Sequence, residues 1–264
     1  MQNPDLHGKT ALVTGAGRGI GRSVAQQLAV CGARVVLVAR SREQLEAAAQ
    51  EIRDAGGDAR ALAVDIADAA AVERAFRESG PVDILINNAG VVQPIAPAVD
   101  ADPASWAYNI AVNLNAVFYT CHYALPHMIE QGWGRIVNVT SGAARGTTTT
   151  WSAYSAAKAG VEAFTGVLAR EAGPQGVRAN AVRPGIVDTS MQAELRVATE
   201  EQFGRDNLDR FRGYKERGLL RSPEDPARLI LWLLTPEADD INGETLAIDD
   251  PEVAARIGLV SMGR

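Results

Sequence analysis

Two side chains that can exchange protons lie four residues apart in the segment Tyr154-Ser-Ala-Ala-Lys158. On a helix this spacing places Tyr154 and Lys158 on one face. A free phenol has a pKa near ~10, and a neighbouring ammonium group favours the phenolate. The two residues are therefore a candidate proton donor and acceptor at neutral pH. Alone, the pattern also fits an ordinary tyrosine and lysine of a helix, so its meaning depends on the rest of the chain.

Other polar side chains occur at positions that suit the same chemistry. Ser141 follows an apolar strand and precedes Tyr154 by 13 residues, and its hydroxyl can hydrogen-bond a carbonyl oxygen. Asn113 lies within a long predicted helix, where asparagine is neutral or mildly unfavourable. The segment Asn87-Asn-Ala-Gly90 ends another strand. These positions favour a catalytic group over a chance pair.

A glycine-rich loop, Thr14-Gly-Ala-Gly-Arg-Gly-Ile-Gly21, joins the first predicted strand to the first helix. Glycines let the backbone turn tightly and approach a pyrophosphate, and the following helix N-terminus offers free N–H groups. The alternative is a glycine turn without a ligand. The position between a first strand and a helix favours dinucleotide binding. Gly15, Gly19 and Gly21 follow the spacing G-x-x-x-G-x-G rather than the commoner G-x-G-x-x-G.

Strands and helices alternate along the whole chain, and several strands are apolar throughout. Such strands are typical of parallel sheets that helices cover on both faces. We therefore expect one α/β domain over residues 1–264, with a doubly wound, Rossmann-type parallel sheet of about seven strands. Ligands of such sheets bind beyond the carboxyl ends of the strands. Predicted strands lie near 10–14, 34–39, 59–64, 82–87, 135–139, 177–182 and 244–248, and the later helices near 69–78, 104–131, 152–172 and 222–234.

Two segments depart from this alternation. Residues 188–217 are charged and too long for an ordinary connection, which predicts a helical substrate lid. Residues 250–264 form a C-terminal tail beyond the last strand.

Taken together, the glycine spacing, Asn113, Ser141, Tyr154 and Lys158 resemble the short-chain dehydrogenase/reductase family over about residues 8–250. The resemblance implies that Ser141 binds the substrate carbonyl and that Tyr154 is the general acid/base. It implies that Lys158 binds the ribose and tunes Tyr154, and that Asn113 holds a water in the proton relay. One departure is the Asp249-Asp-Pro251 segment, where the family has Asp-Gly-Gly; it puts the usual C-terminal turn in doubt.

The expected cofactor is NADP(H), with NAD(H) as the weaker alternative. NAD-binding relatives carry an acidic residue after the second strand, whereas this chain has Val38-Ala-Arg-Ser-Arg42. The guanidinium of Arg40 suits a 2′-phosphate, and Arg18 is close enough in the loop to assist; the alternative is that both are surface arginines. The predicted cofactor-binding residues are Gly15, Arg18, Gly19, Ile20, Gly21, Arg40, Asp65, Ile66, Asn88, Ala89, Gly90, Tyr154, Lys158, Pro184, Gly185, Ile186 and Thr189.

Composition argues against several other classes of protein. The net charge of −6 disfavours broad nucleic-acid binding, and no apolar run approaches the ~20 residues that a membrane helix needs. The three histidines form no metal-ligand pattern, and Ser141 lacks the partners of a serine hydrolase. Two cysteines in apolar helical segments favour free thiols, and with a polar N-terminus they predict a cytoplasmic protein. The main rival to an enzyme is an NADP(H)-binding sensor or scaffold.

The substrate is expected to be a small carbonyl compound or alcohol of medium size and partly apolar character. Its predicted pocket combines the loop after Ser141, through Thr147 to Trp151, with residues 91–93 and with Met191, Leu195 and Phe203 of the lid. The two longest helices are apolar on more than one side, which predicts a homodimer or homotetramer.

Overall fold

The computed structural model describes residues 3–146 and 148–259. Within them a seven-stranded parallel sheet has the order β3-β2-β1-β4-β5-β6-β7, which confirms the predicted single, doubly wound α/β domain. The order reverses between β1 and β4, so a crevice opens at their carboxyl ends. The strands are β1 Thr10–Thr14, β2 Arg34–Ala39, β3 Asp58–Ala63, β4 Ile84–Asn87, β5 Gly134–Val139, β6 Val177–Arg183 and β7 Thr245–Ala247.

Helices connect the strands and cover both faces of the sheet. Eleven α-helices occur in the described residues: α1 Gly19–Val30, α2 Arg42–Asp54, α3 Ala69–Ser79, α4 Pro103–Ile110, α5 Ala116–Glu130, α6 Ser152–Ala172, α7 Ser190–Arg196, α8 Glu200–Phe203, α9 Arg205–Glu216, α10 Glu224–Trp232 and α11 Pro251–Arg256. None of the described helices is long and apolar enough to cross a membrane.

Two apolar cores lie on opposite sides of the sheet. Successive strand residues point to opposite faces, so Val13 of β1 packs with α1, α2 and α10. Leu12 packs with α3, α5 and α6 on the other face. Both faces of the central strands are covered, which explains why these strands are apolar throughout.

The predicted helix over 104–131 is confirmed as a helical stretch from 103 to 130, but it contains a π-helical turn that was not predicted. The structure divides it into α4, a π-helical segment Ala111–Asn115, and α5. Asn113 Nδ2 donates to the backbone oxygen of Asn109 at 3.1 Å, and such competition for a backbone acceptor widens a helical turn. The position of the Asn113 side chain is thus associated with a local loss of α-helical regularity.

Other predicted boundaries shift by one to three residues. β4 begins at Ile84 rather than 82, and β7 covers only Thr245–Ala247. α10 starts at Glu224 and ends at Trp232, where the Thr235 hydroxyl donates to the Trp232 oxygen at 2.7 Å. The hydroxyl satisfies a terminal carbonyl and stops the helix two residues before the end of its apolar run.

The segment 188–217 is helical, as predicted, and forms α7, α8 and α9. A third apolar cluster joins these helices to the body of the protein, and it includes Trp151, Tyr154, Leu195, Phe203 and Phe211. The segment is therefore packed against the predicted catalytic tyrosine and borders the crevice at the carboxyl edge of the sheet.

Candidate active site

A cavity of about 720 Å³ lies at the carboxyl edge of the sheet. The walls of this cavity include most of the predicted site residues: Gly15, Arg18, Gly19, Ile20, Arg40, Asp65, Ile66, Asn88, Ala89, Gly90, Ser141, Tyr154, Lys158, Pro184, Gly185 and Thr189. Gly21, Asn113 and Ile186 do not line it. Residues far apart in the sequence thus converge on one space.

The glycine loop adopts a backbone that larger residues disfavour. Gly15 and Gly19 have φ of 67° and 55°, in the left-handed region that glycine enters without strain. A Cβ on Gly21 would lie 2.4 Å from the Gly15 oxygen, so Gly21 serves the packing of the loop from behind the cavity wall. Arg18 makes no side-chain capping bond to α1. The first turn of α1 therefore has N–H groups to offer an anion.

Thr14 and Asn88 fix the loop against the end of β4. The Thr14 hydroxyl accepts hydrogen bonds from the N–H groups of Asn88 and Ala89 at 3.0 and 3.1 Å. Asn88 Nδ2 donates to the Thr14 and Gly15 oxygens at 3.0 and 3.3 Å. These bonds hold the two central strand ends in register at the point where the sheet order reverses.

The predicted catalytic side chains face one another from β5 and α6. Tyr154 and Lys158 lie on one face of α6 and are 7% and 4% exposed. Lys158 Nζ is 5.8 Å from the Tyr154 ring centroid and donates to the Val139 oxygen at 2.8 Å. Ser141 lies two residues after the end of β5 and adjoins Tyr154.

Burial dominates the proton affinities of this group. Desolvation raises the pKa of Tyr154, although the Ser141 hydroxyl acts in the opposite direction. Desolvation also lowers the pKa of Lys158 to about 8. In the protein alone, burial thus outweighs the help that the Ser141 hydroxyl gives to the phenolate.

Asn113 is fully buried and ties the π-helical segment to the loop after β4. Its Oδ1 accepts from Val91 N at 3.2 Å, and its Nδ2 donates to the Val91 oxygen at 2.8 Å. A Cβ on Gly90 would lie 2.8 Å from Asn113 Oδ1 and 3.7 Å from Lys158 Nζ. The side chain therefore lies just behind Gly90, near the lysine; its water-holding role stays a prediction.

A partly buried ion pair anchors α6 below the lysine. Glu162, one turn after Lys158, accepts two hydrogen bonds from Arg183 at 2.8 and 2.6 Å and a third from the Thr140 hydroxyl at 3.0 Å. Bidentate pairing of this kind fixes geometry as well as distance. It joins α6 to the ends of β5 and β6.

The opposite end of the cavity is basic. Arg18 and Arg40 are exposed lining residues, and Arg40 Nη1 donates to the Tyr108 hydroxyl at 2.9 Å. Asp65 follows β3 and accepts from Ala67 N at 3.0 Å. Sequence reasoning missed Tyr108, because its place opposite Arg40 depends on the packing of α4 across the crevice.

The loop after β6 differs in one residue from the prediction, because Val187 lines the cavity where Ile186 was expected. Residues on both sides of Val187 pair with Arg221: Arg221 N donates to the Ile186 oxygen at 2.8 Å, and Asp188 N donates to the Arg221 oxygen at 2.9 Å. This pairing turns the loop so that the Val187 side chain, and not Ile186, borders the cavity. No local sequence signal shows it, since Arg221 comes after the lid.

The predicted substrate pocket is confirmed in part as a set of lining residues. Val91, Trp151, Met191 and Leu195 line the cavity, whereas Phe203 is fully buried behind them. Thr147 lies outside the described residues.

A doubly wound parallel sheet with a glycine loop at its carboxyl edge is an arrangement that binds dinucleotides, and the buried Tyr154 and Lys158 lie at the same edge. A family model described as short chain dehydrogenase matches residues 9–200. The chain therefore belongs to the short-chain dehydrogenase family, whose members are oxidoreductases that use nicotinamide cofactors and act on small molecules.

Individual relatives agree over nearly the whole chain. The short-chain reductase protein NovJ of Streptomyces niveus is 38% identical over 90% of this chain and 92% of its own. L-xylulose reductase of Bos taurus is 36% identical over 92% of this chain and 96% of its own. A dehydrogenase/reductase structure from Sinorhizobium meliloti superposes with a TM-score of 0.80 at 36% identity, covering 92% and 94% of the two chains.

The burial of Lys158 predicts a pH-dependent stability. Its pKa falls from 10.5 in the unfolded chain to about 8 on folding, so the unfolded state binds more protons between these values, and stability rises with pH there. Relative to Lys158→Met, the wild type should gain roughly 2 to 3 kcal/mol in unfolding free energy between pH 7 and 10. Urea unfolding of both proteins at each pH measures the difference.

Exchange of an exposed lysine, Lys215→Met, is the control for general effects of charge. The difference in unfolding free energy between Lys215→Met and the wild type should change much less over the same pH range. A pH-independent difference for Lys158→Met would contradict the lowered pKa.

Proposed function

We propose that this protein transfers a hydride between NADP(H) and a carbonyl or secondary alcohol substrate, with Tyr154 as general acid/base. The observation that carries the proposal is that Ser141, Tyr154 and Lys158 border the same cavity as the glycine loop and the uncapped start of α1. Relatives named as reductases and dehydrogenases support the same reaction class.

The residues present fit a dinucleotide. Gly15 and Gly19 keep the loop free of side chains beside the first turn of α1, which suits a pyrophosphate. Ile20, Asp65, Ile66 and the segment 88–90 would hold the adenosine half, and Pro184, Gly185 and Thr189 the nicotinamide half. The bound nicotinamide would supply or accept the hydride and, when oxidised, a positive charge.

Substrate orientation and proton transfer are assigned to side chains of the protein. The Ser141 hydroxyl donates to the substrate carbonyl oxygen and orients it towards Tyr154. In reduction, the phenolic O–H of Tyr154 gives its proton to that oxygen while the carbonyl carbon gains the hydride; alcohol oxidation reverses both transfers. Protonated Lys158 stabilises the phenolate that results, and Asn113 would support a water that returns the proton from solvent.

Tyr154→Phe tests the proton transfer. The variant lacks the only phenolic proton in the group, so turnover of a reducible ketone should fall by several orders of magnitude, because general acid catalysis alone contributes about 10²- to 10⁴-fold. NADPH binding, followed by fluorescence titration, should remain within a few-fold of wild type.

Tyr123→Phe is the matched control, since Tyr123 packs in the core away from the cavity. Near-normal turnover by Tyr154→Phe would overturn the mechanism. NADPH binding by the wild type without reduction of any ketone, quinone or aldehyde in a panel would favour the sensor or scaffold instead.

The preference for NADP(H) over NAD(H) rests on charge. Arg18 and Arg40 line the cavity beyond β2, and the strand end carries no carboxylate there. A guanidinium binds a phosphate with two parallel hydrogen bonds. A preference for NADP(H) in turn favours the reductive direction.

Arg40→Asp should reverse this preference. A carboxylate repels the 2′-phosphate but accepts hydrogen bonds from a free ribose, so KM for NADPH should rise by at least about tenfold while KM for NADH changes little or falls. Arg42→Asp makes the same charge change two residues away, outside the cavity wall, and should leave the ratio near that of wild type. Equal changes in both KM values would contradict the assignment of Arg40.

We also infer a homodimer or homotetramer built on α5 and α6. Phe118 and Val167 are 52% and 51% exposed on these helices, and Ile129 is 41% exposed. Exposed apolar side chains on neighbouring helices favour a subunit interface. Light scattering should give a multiple of 28.0 kDa at micromolar concentration, and Phe118→Glu should lower that mass. A wild-type monomer would refute the interface.

A further inference from the structure

The charges of the cavity are concentrated at one end. Four charged side chains line it among the described residues: Arg18, Arg40, Asp65 and Lys158. The first three follow β1, β2 and β3, at the end proposed for the adenosine half of the cofactor. Lys158 is buried, and its ammonium is already bound to the Val139 oxygen.

The wall on the other side of Tyr154 is mostly apolar. It includes Val91, Trp151, Met191 and Leu195, with Ser190 and Gln192 as neutral polar members. Trp151 meets the Tyr154 ring edge-on, with ring centroids 5.6 Å apart. The space into which a substrate must extend from the phenol is therefore bounded by an indole ring and aliphatic groups.

This wall is fixed from behind. Trp151 stacks on Phe203 at 5.3 Å and meets Phe211 at 5.6 Å, and Phe203 is fully buried. Close aromatic packing of this kind leaves Trp151 few alternative positions. A charged substituent of the substrate therefore could not avoid contact with this wall by displacing Trp151.

No charged side chain of the lid lines the cavity among the described residues. Arg196 and Lys215 both face Asp188. Glu194, next to Leu195, accepts from Gln93 Nε2 at 2.8 Å and so connects α7 to the loop after β4. This hydrogen bond holds the negative charge of Glu194 close to the apolar wall.

From this distribution we propose that the substrate is a neutral carbonyl compound, or the matching secondary alcohol, whose apolar part packs on Trp151, Met191 and Leu195. Carboxylate- or phosphate-bearing substrates are disfavoured, because an anion buried on this wall loses its hydration without gaining a cationic partner. The proposal rests on the function proposed above and narrows it to a substrate class.

Two cyclic ketones with one carbon skeleton test the proposal. The methyl ester of 4-oxocyclohexanecarboxylic acid is neutral at pH 7.5, whereas the free acid is an anion. The wild-type enzyme with NADPH should show at least about tenfold higher kcat/KM for the ester. Equal or better reduction of the acid would overturn the neutral-substrate proposal while leaving the oxidoreductase function intact.

A variant with a positive charge on the wall separates the effect of substrate charge from any difference in intrinsic reactivity between the two ketones. Met191 is half-buried at the cavity, and Met191→Lys adds a cation of similar length; kcat/KM for the acid relative to the ester should rise by at least about tenfold. Met191→Leu is the matched neutral control and should keep the preference for the ester. Circular dichroism establishes that both variants are folded.

An unchanged ratio in folded Met191→Lys would also contradict the proposal, since the wall would then not contact the substituent. Failure of the wild type to reduce either ketone, or any other carbonyl compound of a panel, would instead remove the proposed function and with it the substrate class.

Discussion

The ammonium group of Lys158 lies in the interior, hydrogen-bonded to the carbonyl oxygen of Val139 at the end of β5. Removing a cation from water is costly unless partners compensate, and here burial brings the pKa of Lys158 down to about 8. The packing of α6 on the sheet overcomes that cost, helped by the Glu162–Arg183 pair one turn further along. A protonated lysine in this position stabilises an anion beside it. Tyr154 is the neighbouring side chain that can form an anion, by losing its phenolic proton.

Polar and apolar residues line different parts of the cavity on either side of that lysine. Towards β1 and β2 the walls are backbone amides and arginines, which suit phosphates. Towards the lid they are Trp151, Met191 and Leu195, which suit hydrocarbon. This distribution is the basis for proposing a highly charged cofactor and an uncharged substrate in one cavity, with Tyr154 between them.

Local patterns in the sequence were sufficient for much of this arrangement. Strand hydrophobicity predicted the parallel sheet, because burial on both faces leaves few positions for polar residues. The four-residue interval between Tyr154 and Lys158 placed them on one face of α6, since helical geometry is local. The glycine loop was predictable for the same reason.

What the sequence could not predict depends on contacts between distant residues. Asn113 lies in a π-helical turn and bonds to Asn109 and to the loop after β4, and the contact with the loop cannot be predicted before the fold is known. Val187 replaces Ile186 at the cavity because Arg221 pairs with the loop. The roles of the predicted site residues, among them Arg18, Arg40, Asn113, Ser141, Tyr154 and Lys158, and the cytoplasmic location stay predictions.

The segment after β7 departs from the Asp-Gly-Gly of the family and contacts the loop that borders the cavity through Arg221. Asp250 and Pro251 replace the expected glycines, and Asp250 accepts from the N–H groups of Glu252 and Val253, so that it caps α11. Asp249 accepts two hydrogen bonds from the buried Arg221 at 3.0 and 2.7 Å. Because Arg221 also pairs with the backbone around Val187, the position of that loop depends on the end of β7. A helix cap thus replaces a glycine turn while the link from the last strand to the cavity wall is preserved.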